Sequence, residues 1–254
     1  MGGMVSRVRL FVEHPLAAGA RLPLERAQAH YLFNVMRLGE GAEIAVFDGR
    51  SGEWTARVAE AGKRAGVLEC LSQSAPQRDP PDVWLLFAPV KKARTDFIVE
   101  KAVEIGARRL VPVQTGFTNA ERIRRDRLQA HAVEAAEQCG ATHVPEVADL
   151  VPLPRLLDDW PEGRALLYAD EAQAGRSSPL AGLLARDDAR EGGGAPPPAA
   201  LLIGPEGGLS DAERARLAAL PFAQPLALGP RILRADTAAV AALTLWQATC
   251  GDWR

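Results

Sequence analysis

A glycine-rich turn between an apolar run and a helix start constrains the fold of this 254-residue chain most strongly. Residues 201–210 read Leu-Leu-Ile-Gly-Pro-Glu-Gly-Gly-Leu-Ser. The apolar run predicts a buried strand, and the glycines predict a tight turn whose backbone a ligand can approach closely. Ser210 and Glu213 have the spacing of a capping box, so a helix is expected to begin there.

A second segment of the same character follows about twenty residues later. Residues 228–237 read Leu-Gly-Pro-Arg-Ile-Leu-Arg-Ala-Asp-Thr, again between a predicted strand and a predicted helix. Ligands of parallel sheets bind at the carboxyl ends of strands. The two segments are therefore expected to form two walls of one pocket, and residues 169–171, which follow another strand, to complete it.

The residue types of the first turn indicate which ligand it suits. It has neither the G-x-G-x-x-G spacing of a dinucleotide fold nor the lysine of a P-loop, and its carboxylate, Glu206, would repel a phosphate. A neutral or cationic ligand is expected. The alternative is that each turn only connects a strand to a helix, as Gly and Pro often do.

Two patterns along the chain predict two domains. Residues 1–75 read as short alternating strands with one helix at 24–38, which suggests a small β-barrel. Residues 76–254 alternate apolar strands and helices, which indicates an α/β domain with a mostly parallel sheet. A Gly- and Pro-rich stretch at 192–198 is expected to be a surface loop. The strands are predicted at residues 5–12, 43–48, 54–59, 66–71, 83–88, 110–113, 165–169, 199–203 and 225–228; the later helices at 95–105, 126–139, 211–220 and 237–250.

The motifs together resemble the SPOUT methyltransferases, and most of all the family that methylates N3 of a uridine in small-subunit ribosomal RNA. Its pocket loops are similar to residues 202–210 and 228–237. Further similarity lies in His30 with Val35-Met36-Arg37, in Phe47-Asp48-Gly49, in residues 101–106 and in residues 134–140. These motifs, found together and in the same order, are more specific than either glycine turn alone.

The resemblance implies a PUA-like β-barrel that binds RNA, followed by a SPOUT domain with a C-terminal trefoil knot. It implies a homodimer and S-adenosylmethionine as the cofactor. The residues that match the cofactor loops are Ile203, Gly204, Pro205, Glu206, Gly207, Gly208, Leu228, Gly229, Ile232, Leu233 and Arg234.

The implied reaction requires removal of a proton from uridine N3, and side chains near the second segment are candidates for this chemistry. Asp236 is the first candidate for the base that removes the N3 proton, although a helix N-cap, formed by Asp236 or Thr237, is an alternative. Arg234 would stabilise negative charge on the uracil oxygens, or else contact a phosphate or an interface. Glu206 is expected to hydrogen-bond the backbone of the neighbouring loop. The expected RNA contacts are His30, Arg37, Lys91, Lys92, Arg94, Glu134 and Gln138. For Glu134 and Gln138, one helical turn apart, a solvent-exposed pair is the alternative.

Three positions depart from the family pattern. Asp236 stands where the family usually has Glu, Gly116-Phe117 where an arginine is common, and Ala141 where many members have Arg. The first affects the position of one carboxylate, and the others affect individual RNA contacts.

The distribution of charged residues and cysteines limits which partners and metal sites are expected. Net charge is −2, but residues 76–130 carry 11 Lys and Arg against 7 Asp and Glu, so a local basic patch can bind phosphate; an ordinary solvated helix face is the alternative. Cys70, Cys139 and Cys250 form no metal or disulfide pattern, and Cys139 is expected to be buried. We expect a cytosolic protein without a metal or a membrane segment.

Two other functions stay open at this point. The chain could act on another RNA position within the SPOUT group, or it could be a non-catalytic RNA-binding or ribosome-assembly protein of the same fold. A dinucleotide-dependent enzyme is disfavoured because the phosphate fingerprint is missing.

Overall fold

The computed structural model describes residues 8–62, 64–120, 122–175 and 196–253. Most of the surface loop predicted at 192–198, and the first residues of the strand predicted at 5–12, lie outside these ranges. The chain forms two compact units. The first comprises Met1–Asp79 with Ala136–Val144, and the second comprises Pro80–Ala135 with Pro145–Arg254.

The first unit is built on a curled five-stranded sheet with the order β1-β3-β4-β5-β2. The β1–β3 pair is parallel, and the other pairs are antiparallel. Its core includes Leu22, Leu32, Ile44 and Leu68, all essentially inaccessible to solvent. The strands are β1 (Arg9–Phe11), β2 (Arg21–Pro23), β3 (Glu43–Phe47), β4 (Glu53–Ala61) and β5 (Gly66–Ala75).

The helix predicted at residues 24–38 is shorter and irregular. A four-residue helix α1 (Arg26–Ala29) runs directly into a π-helical turn at His30–Val35. The amide of Met36 donates to the carbonyl of Tyr31, five residues back, at 2.9 Å. Arg37 then adopts φ 56°, a left-handed conformation that ends the turn. Apolar spacing alone does not distinguish an α-turn from this wider one.

The second unit is built on a parallel sheet with the order β12-β10-β11-β6-β7-β8, and β9 also pairs with β7. Every pairing in it is parallel. The central strand β11 is buried along its whole length, as its continuous apolar run predicts. The strands are β6 (Val83–Phe87), β7 (Arg109–Gln114), β8 (Glu146–Val147), β9 (Val151–Pro152), β10 (Ala165–Ala169), β11 (Ala199–Ile203) and β12 (Ala223–Leu226).

Helices flank this sheet, and two of them pack together at their ends. α2 ends at Gly106, whose φ is 89°, and the buried Gln247 side chain of α6 donates to the Ile105 carbonyl at 2.7 Å. A left-handed glycine is the usual way to end a helix. The helices are α2 (Lys92–Ile105), α3 (Arg125–Cys139), α4 (Leu153–Asp158), α5 (Asp211–Ala218) and α6 (Ala235–Thr249).

Several elements begin or end a few residues from their predicted bounds, and the last strand and Cys139 differ in ways that have a clear cause. The last strand was expected at 225–228 but spans Ala223–Leu226, since pairing with β10, which periodicity cannot reveal, fixes its ends. Cys139 is exposed, not buried, because it lies at the C-terminal end of α3. Within the described ranges, no helix has the length and apolar character needed to cross a bilayer.

Candidate active site

The first loop (Gly204–Ser210) leaves the carboxyl end of β11 and is firmly held. The capping box predicted at its end is present: the Glu213 amide donates to Ser210 Oγ at 3.3 Å, and the Ser210 amide donates to Glu213 Oε2 at 2.8 Å. The Gly208 amide donates to the Pro205 carbonyl at 2.9 Å. These bonds fix the loop between the end of β11 and the start of α5.

The second loop (Ala227–Arg234) leaves the carboxyl end of β12 and enters α6. Gly229 has φ 103°, which only glycine adopts easily, and a side chain there would meet open space. The N-cap of α6 is Arg234 and has no side-chain cap. The prediction that Asp236 or Thr237 forms the N-cap is therefore wrong. Asp236 lies in the first helical turn, where its negative charge interacts favourably with the helix dipole.

The two loops lie on opposite sides of one cleft. Their strands flank β10 in the sheet order, so the three carboxyl ends meet at one edge. The cofactor residues predicted from the sequence that line this cleft are Ile203, Gly204, Pro205, Gly208, Leu228, Gly229, Ile232 and Leu233. Glu206, Gly207 and Arg234 were predicted with them but do not line it.

The cleft is narrow, with a volume of about 60 Å³. Pockets for small molecules usually measure about 300–1,000 Å³. A ligand of nucleoside size therefore has to widen the cleft. Ile232 of the second loop lines the cleft, and 79% of it is exposed to solvent.

An acidic pair closes the cleft at the end of β10. Asp170 and Glu171 both line it, as expected of residues 169–171, and both are held by Arg214, at 3.1 and 2.6 Å. Burial opposes the charge of Arg214, but the facing carboxylates of Glu171 and Asp170 leave its pKa raised. Sequence reasoning missed the role of Arg214, because its two partners in the cleft are over forty residues away.

Glu171 also explains why one glycine is required. A Cβ added at Gly208 would lie 2.2 Å from Glu171 Oε1, and the φ of Gly208 is 70°. The carboxylate therefore occupies the space that a side chain would fill. This cleft has apolar strand ends, bare backbone and two carboxylates, a set that suits an uncharged or cationic ligand containing an apolar ring system.

Arg94 connects the first loop to α6. Its Nη1 lies 3.2 Å from Glu206 Oε1, and its Nε lies 3.8 Å from Asp236 Oδ2. Glu206 therefore pairs with a side chain of α2, and the expectation that it hydrogen-bonds the backbone of the second loop is wrong. Arg94 was expected to contact RNA. In this structure its guanidinium also positions the carboxylate that was expected to act as base.

A larger cavity, here called the side cavity, adjoins the cleft. It has a volume of about 510 Å³ and shares Pro205 with the cleft. Charged residues of both signs and one aromatic ring contribute to its walls. It is lined by Pro89, Val90, Lys91, Arg94, Phe117, Asn119, Ala120, Pro205 and Glu206.

A basic hollow of about 360 Å³ lies nearby and includes Lys92. Its other cations are Arg122, Arg124 and Arg127. Arg127 is paired with Asp96 at 2.6 Å, and the exposed Arg124 with Asp126, which lowers the pKa of Asp126 to about 2. Lys92 and Arg122 are thus the cations of this hollow whose charge no described carboxylate offsets.

The remaining predicted RNA residues are on exposed surface. His30 begins the π-turn, with Nδ1 3.1 Å from Asn34 Nδ2, and Arg37 ends it. Val35 and Met36 between them are 58% and 40% exposed. Glu134 and Gln138 are exposed on α3. Among the described residues, no group of His, Cys, Asp and Glu could hold a metal ion.

Comparisons with known proteins agree with this architecture. Residues 77–247 match the RNA methyltransferase domain family, and residues 24–69 match the RNA methyltransferase PUA domain family. Ribosomal RNA small subunit methyltransferase E of Synechocystis sp. is 33% identical over 244 residues, which cover 94% of this chain and 77% of that protein. The protein of the same name from Rickettsia conorii is 24% identical over 238 residues, 92% of this chain and 93% of that protein.

Solved structures show the same fold. The Neisseria gonorrhoeae ribosomal RNA small subunit methyltransferase E, bound to S-adenosylmethionine, superposes with a TM-score of 0.84 at 28% identity, covering 98% of this chain and 100% of that one. A putative methyltransferase of Legionella pneumophila, in complex with the same cofactor, superposes with a TM-score of 0.84 at 27% identity. The match covers 97% of this chain and 99% of that one.

The architecture is thus a PUA-like domain with a SPOUT-type α/β domain. The family match spans most of the chain, and one relative exceeds 30% identity over nearly all of it. The chain belongs to the RNA methyltransferase family that includes the ribosomal RNA small subunit methyltransferases E.

Proposed function

We propose that this protein transfers a methyl group from S-adenosylmethionine to N3 of a uridine in small-subunit ribosomal RNA. One observation carries the proposal: the two glycine loops line a single cleft, beside which Arg94 holds the carboxylate of Asp236. The names of the curated relatives support an rRNA substrate, and two related structures contain the cofactor. The choice of uridine N3 comes from the motif resemblance and is the part to be tested.

The residues around the cleft fit this cofactor. The backbone at Gly204 and Gly229 lets a flat purine approach closely, and the leucines at the strand ends provide apolar contacts. The carboxylates of Asp170 and Glu171 complement its positive charge. When bound, S-adenosylmethionine supplies a methyl carbon on a cationic sulfur. Glu206, Gly207 and Arg234, at the edges of the two loops, are proposed to contact it once the cleft widens.

The acceptor nitrogen must lose a proton, and Asp236 is the proposed base. Its Oδ1 accepts the amide of Thr237 at 3.0 Å, and Arg94 lies beside its Oδ2. The nitrogen–carbon bond forms as the carbon–sulfur bond breaks, and Asp236 takes the N3 proton. S-adenosylhomocysteine leaves with no net charge on sulfur. Such proton transfer typically contributes about 10²–10⁴-fold to the rate.

Arg234 is proposed to stabilise the negative charge that develops on the uracil oxygens. It lies exposed at the N-cap of α6, two residues before Asp236. A guanidinium remains charged at any physiological pH and offers forked donors. Because Arg234 is close to Asp236 in the sequence, it can contact the same uracil ring from another side.

RNA binding is assigned to residues on both parts of the chain. We propose that residues 1–75 grip the RNA and that residues 76–254 transfer the methyl group in the cytoplasm, where ribosomes assemble. A homodimer and a C-terminal knot belong to the same proposal. The residues proposed to contact RNA are His30, Arg37, Lys91, Lys92, Arg94, Glu134 and Gln138.

Mass mapping of small-subunit rRNA from cells with and without the gene tests this function. We expect one N3-methyluridine to disappear on deletion and to return with the wild-type gene but not with Asp236→Asn. Loss of a methyl group at another position would refute uridine N3 and leave a methyltransferase. An unchanged methylation pattern together with a defect in subunit assembly would instead support the non-catalytic alternative.

A further inference from the structure

We propose that the side cavity receives the target uracil ring and that Phe117 is the surface on which this ring stacks. The proposal rests on the proposed function, because it takes an RNA base to be the acceptor. It adds a binding site and a specificity-determining residue on a turn that the cofactor loops do not include. Four features of the described residues carry it.

The first feature is the exposure of Phe117. This ring lines the side cavity and is 51% exposed, although burying an aromatic side chain is strongly favourable. It is the aromatic residue among those that line the side cavity. Bases that are splayed out of single-stranded RNA are usually bound by stacking on such rings.

The second feature is the rigidity of the turn that carries the ring. The Thr118 amide donates to the Thr115 carbonyl at 3.1 Å, and the Thr115 amide donates to Thr118 Oγ1 at 2.9 Å. The Gly116 amide donates to Glu213 Oε1 at 2.8 Å, and Glu213 is also part of the capping box of α5. The backbone that carries Phe117 is therefore held in place before any ligand binds, which reduces the entropy lost on stacking.

The third feature is the distance to the first loop. A Cβ added at Gly207 would lie 3.1 Å from Phe117 Cβ, so the phenylalanine packs directly against the backbone of that loop. This contact explains a glycine that does not line the cofactor cleft. Since Pro205 borders both cavities, a base on Phe117 would lie next to the methyl donor.

The fourth feature is the chemistry of the other walls. Asn119 offers an amide that both donates and accepts, as the oxygens and N3–H of uracil require. Lys91 and Arg94 supply positive charge for the attached phosphates. The volume of about 510 Å³ lies within the usual range for ligand sites. An aromatic wall, an amide and two cations together favour a nucleotide over an apolar ligand.

The first experiment measures methyl transfer to small-subunit RNA that lacks the modification, with each variant's affinity for S-adenosylmethionine measured separately. Phe117→Ala and the non-aromatic Phe117→Leu are expected to lower kcat/KM for RNA by about 5- to 150-fold, since stacking on an aromatic ring is lost. The kcat/KM of Phe117→Tyr should remain within about threefold of the wild-type value. Affinity for the cofactor should not change in any of them.

Phe97→Ala is the matched control, because Phe97 is another exposed phenylalanine of the same unit, on α2 and outside both cavities. It is expected to keep wild-type kcat/KM. Full activity of Phe117→Leu would overturn the stacking role, since it would show that volume alone suffices. Full activity of Phe117→Ala would overturn the site.

A second readout separates this inference from the proposed function. A small-subunit RNA that carries 4-thiouridine in place of the target uridine, or of every uridine, is bound to the protein and crosslinked by light. The protein is then digested with trypsin. We expect the crosslink at Phe117, within residues 110–122. A crosslink there without methyl transfer would support the base site and contradict the methyltransferase function. Methyl transfer with the crosslink only elsewhere would contradict the base site and leave the function intact.

Discussion

The two loops of the cleft follow neighbouring parts of one sheet but are held very differently. In the first loop, Gly208 and Ser210 donate their amides to partners within the loop and its helix. In the second, no described residue accepts a hydrogen bond from the backbone amides of Gly229 and residues 231–233, and Pro230 has no amide hydrogen. The Gly229 carbonyl does accept the Gly175 amide, at 3.3 Å. Among the described residues, hydrogen bonds therefore hold the first loop at more points than the second.

This difference explains how a cleft of about 60 Å³ can serve a larger ligand. Rearranging the first loop would break its capping box and the contacts of Glu213 with the turn that holds Phe117. Rearranging the second loop breaks few bonds in the described structure. We infer that the second loop moves outward to admit the cofactor and then closes over it, while the first loop keeps its position.

The largest expected effect is in the first helical turn after the second loop. Asp236→Asn should lower kcat by about 100-fold or more, because the amide cannot accept the N3 proton. The affinity for S-adenosylmethionine should stay within about twofold, as measured by calorimetry. Glu206→Gln, which alters the other carboxylate bound to Arg94, is the matched variant and should lower kcat by less than tenfold. Equal losses from both would place the two carboxylates in a merely structural role.

The next largest effect is expected from substitutions at Gly208 and Gly229, the glycines with a positive φ in the two loops. Gly208→Ala should weaken cofactor binding by at least about tenfold, because its Cβ would meet both an unfavourable φ and the Glu171 carboxylate that Arg214 holds. Gly229→Ala faces only the φ penalty, since its surroundings are open. Titration of cofactor into both variants checks the order. A greater loss from Gly229→Ala would reverse the assignment of rigid and mobile walls.

The capping box gives a smaller, measurable effect on stability. Ser210→Ala should lower the free energy of unfolding by about 1 kcal/mol, since it removes the acceptor of the Glu213 amide. Ser72→Ala, at an exposed position of β5, serves as the control in urea denaturation. If the two variants are equally stable, the first loop does not depend on its cap.

The smallest effect is expected at Ile232. Because 79% of this side chain is exposed, Ile232→Ser should change the free energy of unfolding by less than about 0.5 kcal/mol. Its affinity for the cofactor should nevertheless fall by several-fold, as the closed loop would bury this apolar group. A large loss of stability without loss of binding would show that the second loop is already packed.

Local patterns in the sequence predicted the elements on which the site depends. The strands Ala165–Ala169 and Ala199–Ile203 have the predicted bounds, since continuous apolar runs mark buried parallel strands. The capping box at Ser210 was also predicted, because both partners lie within one helical turn. The meeting of the two loops followed from a general rule for parallel sheets.

Features that depend on distant partners could not be predicted. Arg94 pairs with Glu206 across 112 residues of sequence, and no local signal marks that contact. The N-cap at Arg234 was missed because aspartate two residues later is the better capping type. Phe117 was noted only as a departure from a motif. Its position against Gly207 depends on the tertiary fold.

Amide hydrogen exchange with and without S-adenosylmethionine tests the difference between the two walls most directly. We predict slow exchange at Gly208 and Ser210 in both states, and fast exchange at residues 231–233 that becomes strongly protected when the cofactor binds. Equal, fast exchange in both loops of the free protein, or no protection of residues 231–233 at saturating cofactor, would contradict a fixed first wall and a closing second one.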